Sequence, residues 1–153
     1  MAQYKSWPPL LVPTLSTALN VGIAIGGYTA TVGFAVPGTP GPAAAFWFDR
    51  FLIPGFVTVS SLGVFTLGSG LWASHRSKQK SESRWALLGF AFTVGHFMFG
   101  KAVIAFWERM QANPHRAQPE LAGWLTMHMT RTCLTDITAF LCFLSGLLEQ
   151  ISP

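Results

Sequence analysis

The last long apolar stretch of the chain, residues 121–148, carries ionisable side chains in its middle. His128, Arg131 and Asp136 interrupt a segment that otherwise has the length and composition of a transmembrane helix. Because a bilayer offers no water to such groups, an Arg or Asp at its centre costs about 2.5–3.5 kcal/mol even on the low, insertion-derived scale. Such groups persist where they face a protein interior, so the sequence predicts a membrane bundle with a polar centre.

The composition indicates the same class of protein. Half of the 153 residues are apolar, only 10% are charged, and the mean hydropathy is +0.41, whereas soluble domains carry about 25% charged residues. The net charge of +4 does not indicate nucleic-acid binding, because the basic residues form no stripe with interleaved aromatics. Four of the ten basic residues instead share one short loop: Arg76, Lys78, Lys80 and Arg84.

Four segments are long and apolar enough to cross a bilayer. Between them lie a Pro/Gly-rich loop (37–42), a basic, Ser-rich loop (75–84) and a loop containing Asn-Pro (113–119). The sequence therefore predicts a single all-α domain, residues 1–153, built as a four-transmembrane-helix bundle in the lipid bilayer. The predicted spans are residues 10–36, 51–74, 85–107 and 121–148.

Basic residues in the short loops predict the orientation. With four spans, both termini and the second loop share one side of the membrane, where five basic residues fall: Lys5, Arg76, Lys78, Lys80 and Arg84. The other side has three: Arg50, Arg109 and Arg116. Since cytoplasmic loops carry the excess of Lys and Arg, both termini are predicted to be cytoplasmic.

Small residues predict close helix packing. Gly22 and Gly26 have GxxxG spacing in the first span, and Gly63, Gly68 and Gly70 occur in the second. Glycines let helix backbones approach each other closely in a membrane. The same faces would allow a homo-oligomer.

The polar residues of the last span fall into a pattern. Trp124, His128, Arg131 and Thr135 are spaced by four, three and four residues, so they share one face of a helix. Asp136 borders that face or turns to a neighbouring helix. The third span adds His96 and Lys101, and the first adds Asn20 and Tyr28.

Each polar residue also has a structural interpretation. Arg131 and Asp136 would pair to hold two helices together, His128 would bind a backbone carbonyl, and Lys101 would extend toward the rim near Glu108. The number of ionisable groups in so small a bundle exceeds what packing requires, however. We therefore expect a functional interior site.

The residue types constrain its chemistry. His96, His128 and Asp136 would suit iron or copper, but the neighbouring Arg and Lys repel a cation, so no metal and no other cofactor is predicted. Neither a serine elbow motif nor a Gly-rich phosphate loop is present in the sequence.

Three stretches of the chain resemble the DUF1772 membrane proteins, whose characterised members include fungal anthrone oxygenases. They are residues 14–27 after a Pro-rich start, Phe46-Trp47-Phe48, and the motif Trp124-x3-His128-x2-Arg131. The chain departs from the family at residues 100–104, where members usually have Pro-Phe-Thr near the end of the third span. The resemblance implies a cofactor-independent oxygenase that acts on O2 and a lipophilic, anthrone-like polyketide. With no recognisable cleavable signal, it also implies an endomembrane location such as the endoplasmic reticulum.

An anthrone is a carbon acid whose anion reduces O2, so the site needs a base and a cation for the developing oxyanion. We predict His128 as the base, Arg131 as the stabiliser of oxyanion or superoxide, and Asp136 as the group that orients one of them. His96 and Lys101 would complete the catalytic site. The predicted substrate contacts are Trp124, Asn20, Tyr28, Thr135 and Phe97.

Two other classes of function fit the same residues. A cofactor-free isomerase or cyclase would use the same acid and base on a lipophilic intermediate without oxygen. A non-catalytic membrane subunit would use the polar groups to fix helix register.

Overall fold

The computed structural model describes residues 7–152 and shows the predicted fold class, an all-α bundle. Lys5, which contributes to the predicted orientation, lies outside the described residues. Six α-helices follow one another: α1 Leu11–Val32, α2 Gly41–Arg76, α3 Lys80–Phe97, α4 Gly100–Ala112, α5 Ala117–Arg131 and α6 Thr138–Ile151. A 3₁₀ turn, Pro114–Arg116, precedes α5, and a π-helical segment, Thr132–Ile137, joins α5 to α6.

Four of these helical segments are long and apolar enough to cross a membrane. They are Leu11–Val32, Gly41–Arg76, Lys80–Ala112 and Pro114–Ile151. The last three extend beyond the predicted spans at both ends, because the polar residues next to the apolar runs remain helical. The first instead ends four residues earlier than predicted. As a result, the second loop shrinks from residues 75–84 to 77–79.

The start of α2 is fixed by contact with the third loop. Pro40 precedes the helix and Pro42 occupies its first turn, where a missing N–H costs no hydrogen bond. A Cβ atom on Gly41 would overlap the carbonyl oxygens of Pro114 and His115. Glycine is therefore required where α2 meets the 3₁₀ turn.

Two apolar clusters lie toward opposite ends of the bundle. One joins α2, α4 and α5 around Phe48, Met110 and Leu121, which are fully buried. The other joins α2, α3 and α6 around Phe143 and includes Leu10. The buried ionisable groups His96, His128, Arg131 and Asp136 lie between the two clusters along their segments, so the site occupies the middle of the bundle.

Polar contacts at one end of the bundle join three parts of the chain: the start of α1, the start of α3 and the end of α6. The backbone N–H of Leu10 donates to Gln150 Oε1 (3.1 Å), and Gln150 Nε2 donates to Glu82 Oε2 (3.2 Å). The start of α1, the end of α6 and the start of α3 therefore lie together. This arrangement fits an even number of spans, while the side of the membrane that they occupy stays a prediction.

The glycines pack as predicted at Gly63 and Gly70 but not in the first helix, and a Cβ atom on Gly63 would lie 2.6 Å from the Phe97 ring. Cβ atoms on Gly70 and Gly89 would lie 2.9 and 2.7 Å from the Phe143 ring, so these positions do allow close helix packing. Gly22 and Gly26 have no neighbouring atom within 4 Å of such a Cβ. The predicted close approach at this GxxxG pair is therefore wrong within the bundle, and the homo-oligomer stays a prediction.

Candidate functional site

A cavity of about 320 Å³ lies between α1, α2, the α3–α4 junction and α5. Pockets for small molecules measure about 300–1,000 Å³, so this one suits a ligand of a few fused rings. Its walls are apolar except for a few side chains that can hydrogen-bond. They are Ser60, His96, Trp124, His128 and Arg131.

His96 and Asp136 form a close pair at the edge of the cavity. His96 Nδ1 lies 2.6 Å from Asp136 Oδ1, and the two residues are only 8% and 4% exposed. An ionised carboxylate only accepts hydrogen bonds, so in a neutral imidazole paired with it the proton lies on Nδ1. His96 Nε2 then carries the lone pair, and no protein group within residues 7–152 hydrogen-bonds to it. Asp136 thus fixes the tautomer in which His96 can act as a base.

His128 has both ring nitrogens occupied. Arg131 Nη2 donates to its Nδ1 (2.9 Å), and its Nε2–H donates to the Ala24 carbonyl on α1 (2.9 Å). Because a guanidinium only donates, this pattern requires a neutral imidazole with its lone pair engaged. The pairing contradicts the prediction that His128 is the base. It instead makes His128 a group that positions Arg131.

Arg131 connects the two histidines. Its Nε lies 3.9 Å from Asp136 Oδ2, within ion-pair range but too far for a hydrogen bond. Among the described residues, neither of these two buried atoms has a hydrogen-bond partner. Arg131 also lines the cavity. The site therefore holds a buried cation at the cavity wall, whose charge can stabilise an oxyanion that forms beside it.

The π-helical segment brings Asp136 into this group. In a π-turn, hydrogen bonds join residues five apart, so Asp136 follows Arg131 by about one turn. In a regular α-helix the same five residues would place Asp136 well off the Arg131 face. From α-helical spacing, Asp136 was expected either to border the Arg131 face or to turn to a neighbouring helix, and it contacts His96 on α3. A hint in the sequence is the run of threonines, such as Thr135, whose hydroxyl donates to the Arg131 carbonyl (2.7 Å).

Aromatic rings close one end of the cavity. Trp124 stacks on His128 with ring centroids 4.7 Å apart and planes 11° from parallel. Phe48 and Phe51 meet Trp124 edge-on at 4.9 and 6.1 Å. Trp124 is 4% exposed, and its Nε1–H is a buried donor without a partner among the described residues. The aromatic wall thus adds a second unused donor to that of Arg131 Nε.

The other predicted substrate contacts divide into two groups. Phe97 lines the cavity. Asn20 and Thr135 are buried but do not line it, since Thr135 binds the backbone and Asn20 Oδ1 is buried without a partner among the described residues. Tyr28 packs against the cluster around Phe48. The structure therefore places Phe97 and Trp124 at the cavity, and Asn20, Tyr28 and Thr135 behind it.

Lys101 does not join the polar centre. The helix of the third span breaks between Phe97 and Gly100, where Met98 and Phe99 form a tight turn with i→i+3 hydrogen bonds. After this turn Lys101 is exposed on the outer face of α4. The prediction that it completes the site with His96 is therefore wrong, because it assumed one continuous helix.

The part of the cavity wall that α2 supplies was not predicted from the sequence. Phe51, Leu52, Phe56 and Ser60 line it. A face of this composition looks the same in sequence as a face in contact with lipid. Ser60 was the sole polar signal among these four.

The ionisable residues do not form an evident metal site. Within residues 7–152, no three His, Cys, Asp or Glu side chains converge as a metal ion would need. His96 and Asp136 face each other, and His128 is bound by Arg131. These residues form two hydrogen-bonded pairs, His96 with Asp136 and His128 with Arg131.

Part of the chain is similar to a curated protein. Over 71 residues it is 27% identical to the probable epoxidase scpX of Mollisia scopiformis, and the match covers 45% of this chain and 45% of that protein. The chain thus matches less than half the length of this relative. No family model matches the chain, and no solved structure matches it. Membership of the DUF1772 proteins stays a prediction.

Proposed function

We propose that this protein is a membrane-embedded oxygenase that oxidises a lipophilic, acidic aromatic compound of the anthrone type without a cofactor. The observation that carries the proposal is the pairing of His96 with Asp136 at the cavity, beside the guanidinium of Arg131. A base, a cation and an apolar pocket are what the oxidation of a carbon acid by O2 requires.

In the first step, His96 Nε2 removes a proton from the methylene carbon between the aromatic rings. The electron pair of the C–H bond delocalises onto the ketone oxygen, which becomes an oxyanion. Arg131 lines the cavity, and the positive charge of its guanidinium would stabilise this oxygen. Asp136 stabilises the imidazolium that forms.

In the second step, the carbanion transfers an electron to O2, and the resulting radical and superoxide combine into a peroxide at the same carbon. Protonated His96 returns its proton to the distal peroxide oxygen. Loss of the remaining C–H proton breaks the O–O bond and releases water, leaving a quinone carbonyl. The sum is one CH2 group and one O2 converted to one C=O and one H2O, so the substrate supplies all four electrons.

The relative named an epoxidase favours a second candidate reaction with the same groups. A hydroquinone is also an acid whose anion reduces O2. Its peroxide can add to the neighbouring double bond, so that hydroquinone and O2 give an epoxyquinone and water. This reaction also balances without an added reductant, and the product distinguishes it from quinone formation.

The proposal is tested with purified protein in detergent, an oxygen electrode and two probes, anthrone and a prenylated benzohydroquinone. We expect one O2 to be consumed per quinone or epoxyquinone formed. No oxygen uptake with either probe would refute the oxygenase and leave an isomerase, a cyclase or a non-catalytic subunit.

Histidine variants test the assignment of the base. His96→Gln should lower the rate about 10²–10⁴-fold, because general-base catalysis contributes that much. His75→Gln, at an exposed position of α2, is the matched control and should keep the wild-type rate. If His96→Gln retained activity while His128→Gln lost it, the assignment of the base to His96 would be wrong.

A further inference from the structure

A second cavity, about 340 Å³, lies on the outer face of α4 next to the first. Its lining residues are Phe56, Gly100, Lys101, Ile104, Ala105 and Glu108, and we call it the outer groove. Phe56 and Gly100 line both cavities. The outer groove is therefore separated from the inner cavity by little more than the Phe56 ring and the α4 backbone at Gly100.

The boundary between the two cavities is thin and loosely packed. Phe56 is 50% exposed, so its ring is free of tight packing. A Cβ atom on Gly100 would meet nothing within 4 Å, so this position leaves open space. Rotation of the Phe56 side chain would thus join the outer groove to the inner cavity. The helices that line the two cavities face the lipid.

The outer groove has one charge at each end. Lys101 adjoins Gly100 and the inner cavity, and Glu108 lies seven residues further, about 10 Å along α4. No ion pair involves Lys101 in the part of the chain that the structure describes. An unpaired ammonium group in an apolar groove on a membrane helix is costly unless it binds an anion or reaches water.

We propose that the outer groove binds the anionic end of an amphiphilic aromatic substrate. Lys101 pairs with a carboxylate or ionised phenol on the molecule, while its ring system passes Phe56 into the inner cavity. Glu108 repels a second negative charge, so the preferred substrate carries a single one at this end. The inference rests on the proposed function for the aromatic nature of the substrate, and it assigns Lys101 a role in specificity.

The test is an equilibrium binding measurement with the protein in nanodiscs of uncharged phosphatidylcholine. The probes are anthraquinone-2-carboxylate and its methyl ester, which share size and shape, and binding is followed by quenching of tryptophan fluorescence. The ratio of the two dissociation constants is compared between variants, because each probe partitions equally into the lipid around all of them.

We expect Lys101→Ala to weaken binding of the carboxylate about tenfold, as for the loss of a largely screened charge pair at a protein surface. Binding of the ester should stay within twofold. Lys101→Arg should restore the preference, and Lys80→Ala, an exposed lysine at the start of α3, should not change it. An unchanged ratio in Lys101→Ala, or equal weakening of both probes, would overturn the inference.

The passage between the cavities is tested by binding rates. Phe56→Ala should speed association of both probes several-fold, whereas Phe65→Ala, at a similarly exposed position of α2, should leave the rate unchanged. Equal association rates in Phe56→Ala and wild type would refute the passage. These experiments require no turnover, so a Lys101-dependent preference in a protein that consumes no oxygen would refute the proposed function alone.

Discussion

Replacing Asp136 by Asn tests the proposed chemistry most directly, because it removes one charge and keeps the shape. One carboxylate oxygen faces His96 Nδ1 at 2.6 Å, and the other faces Arg131 Nε at 3.9 Å. An amide must turn its NH2 group toward one of them. Since arginine only donates, the amide oxygen will face Arg131 and the NH2 group will face His96.

This orientation reverses the tautomer of His96. With an NH2 donor against Nδ1, that nitrogen must accept, so its proton moves to Nε2 and the lone pair leaves the cavity. Loss of a general base lowers rates about 10²–10⁴-fold, which equals roughly 3–5 kcal/mol of transition-state free energy. We expect a loss in this range for Asp136→Asn.

Two assays separate proton abstraction from oxygen chemistry. The first follows, without O2 and by NMR, the exchange of the anthrone methylene hydrogens in D2O, and the second measures oxygen uptake. Both rates should fall together. Asp49→Asn is the matched control, because Asp49 accepts a hydrogen bond from Trp107 (3.0 Å) away from the cavity.

Stability must be followed in parallel. Asp136→Asn leaves the buried Arg131 without a counter-charge, which costs about 3–5 kcal/mol in typical buried pairs. Rates are therefore compared at temperatures where circular dichroism shows the variant folded. An exchange rate within threefold of wild type in the folded variant would refute the role of His96 as a base held by Asp136.

Two further variants test the oxyanion group and the packing of the bundle. Arg131→Lys should lower anaerobic exchange and oxygen uptake together, about 10²–10³-fold, because the oxyanion forms in the deprotonation step and one ammonium nitrogen does not span the fork of the guanidinium that bonds His128; a wild-type exchange rate in this variant would contradict the oxyanion role. Gly89→Ala should destabilise the bundle by about 1–3 kcal/mol in detergent unfolding, since the new Cβ would lie 2.7 Å from Phe143. Gly68→Ala, with open space around the Cβ, is its control, and equal stability of the two would contradict the packing.

The fold class follows from the sequence because few backbone structures can cross a bilayer. A chain with long apolar stretches must satisfy its backbone groups internally, and helices do so within each stretch. The helix ends were harder to predict, because hydropathy marks where the hydrocarbon ends and not where the hydrogen bonding stops. Helix α2 illustrates this difference, since it begins at Gly41, ten residues before the predicted span at 51.

Part of the candidate site was also predictable. Trp124, His128 and Arg131 lie within the regular helix α5, so α-helical spacing correctly places them together at the cavity. Lys101 lies beyond an irregular turn, and spacing therefore failed for it, whereas Asp136 turns to the neighbouring helix α3, one of the two positions that spacing allowed. The spacing of two residues gives their relative angle around the helix axis only where the hydrogen-bond pattern between them is regular.

The roles of the two histidines depend on partners that spacing does not reveal. His128 is occupied because its Nε2 meets the Ala24 carbonyl, a backbone group 104 residues away in the chain. His96 keeps a free nitrogen because Asp136 takes the other one. Such pairings come from how four helices pack, so they required the structure.

The geometry of the polar centre depends on the number of residues in the π-helical segment. Deleting one residue from 132–137 would restore α-helical hydrogen bonding, because a π-helical turn is an α-helical turn with one residue added, and the helix on either side would keep its face. Asp136 would leave His96, while the apolar faces of the bundle could still pack. In evolutionary terms, a one-codon deletion in this segment is enough to abolish the His96–Asp136 pair.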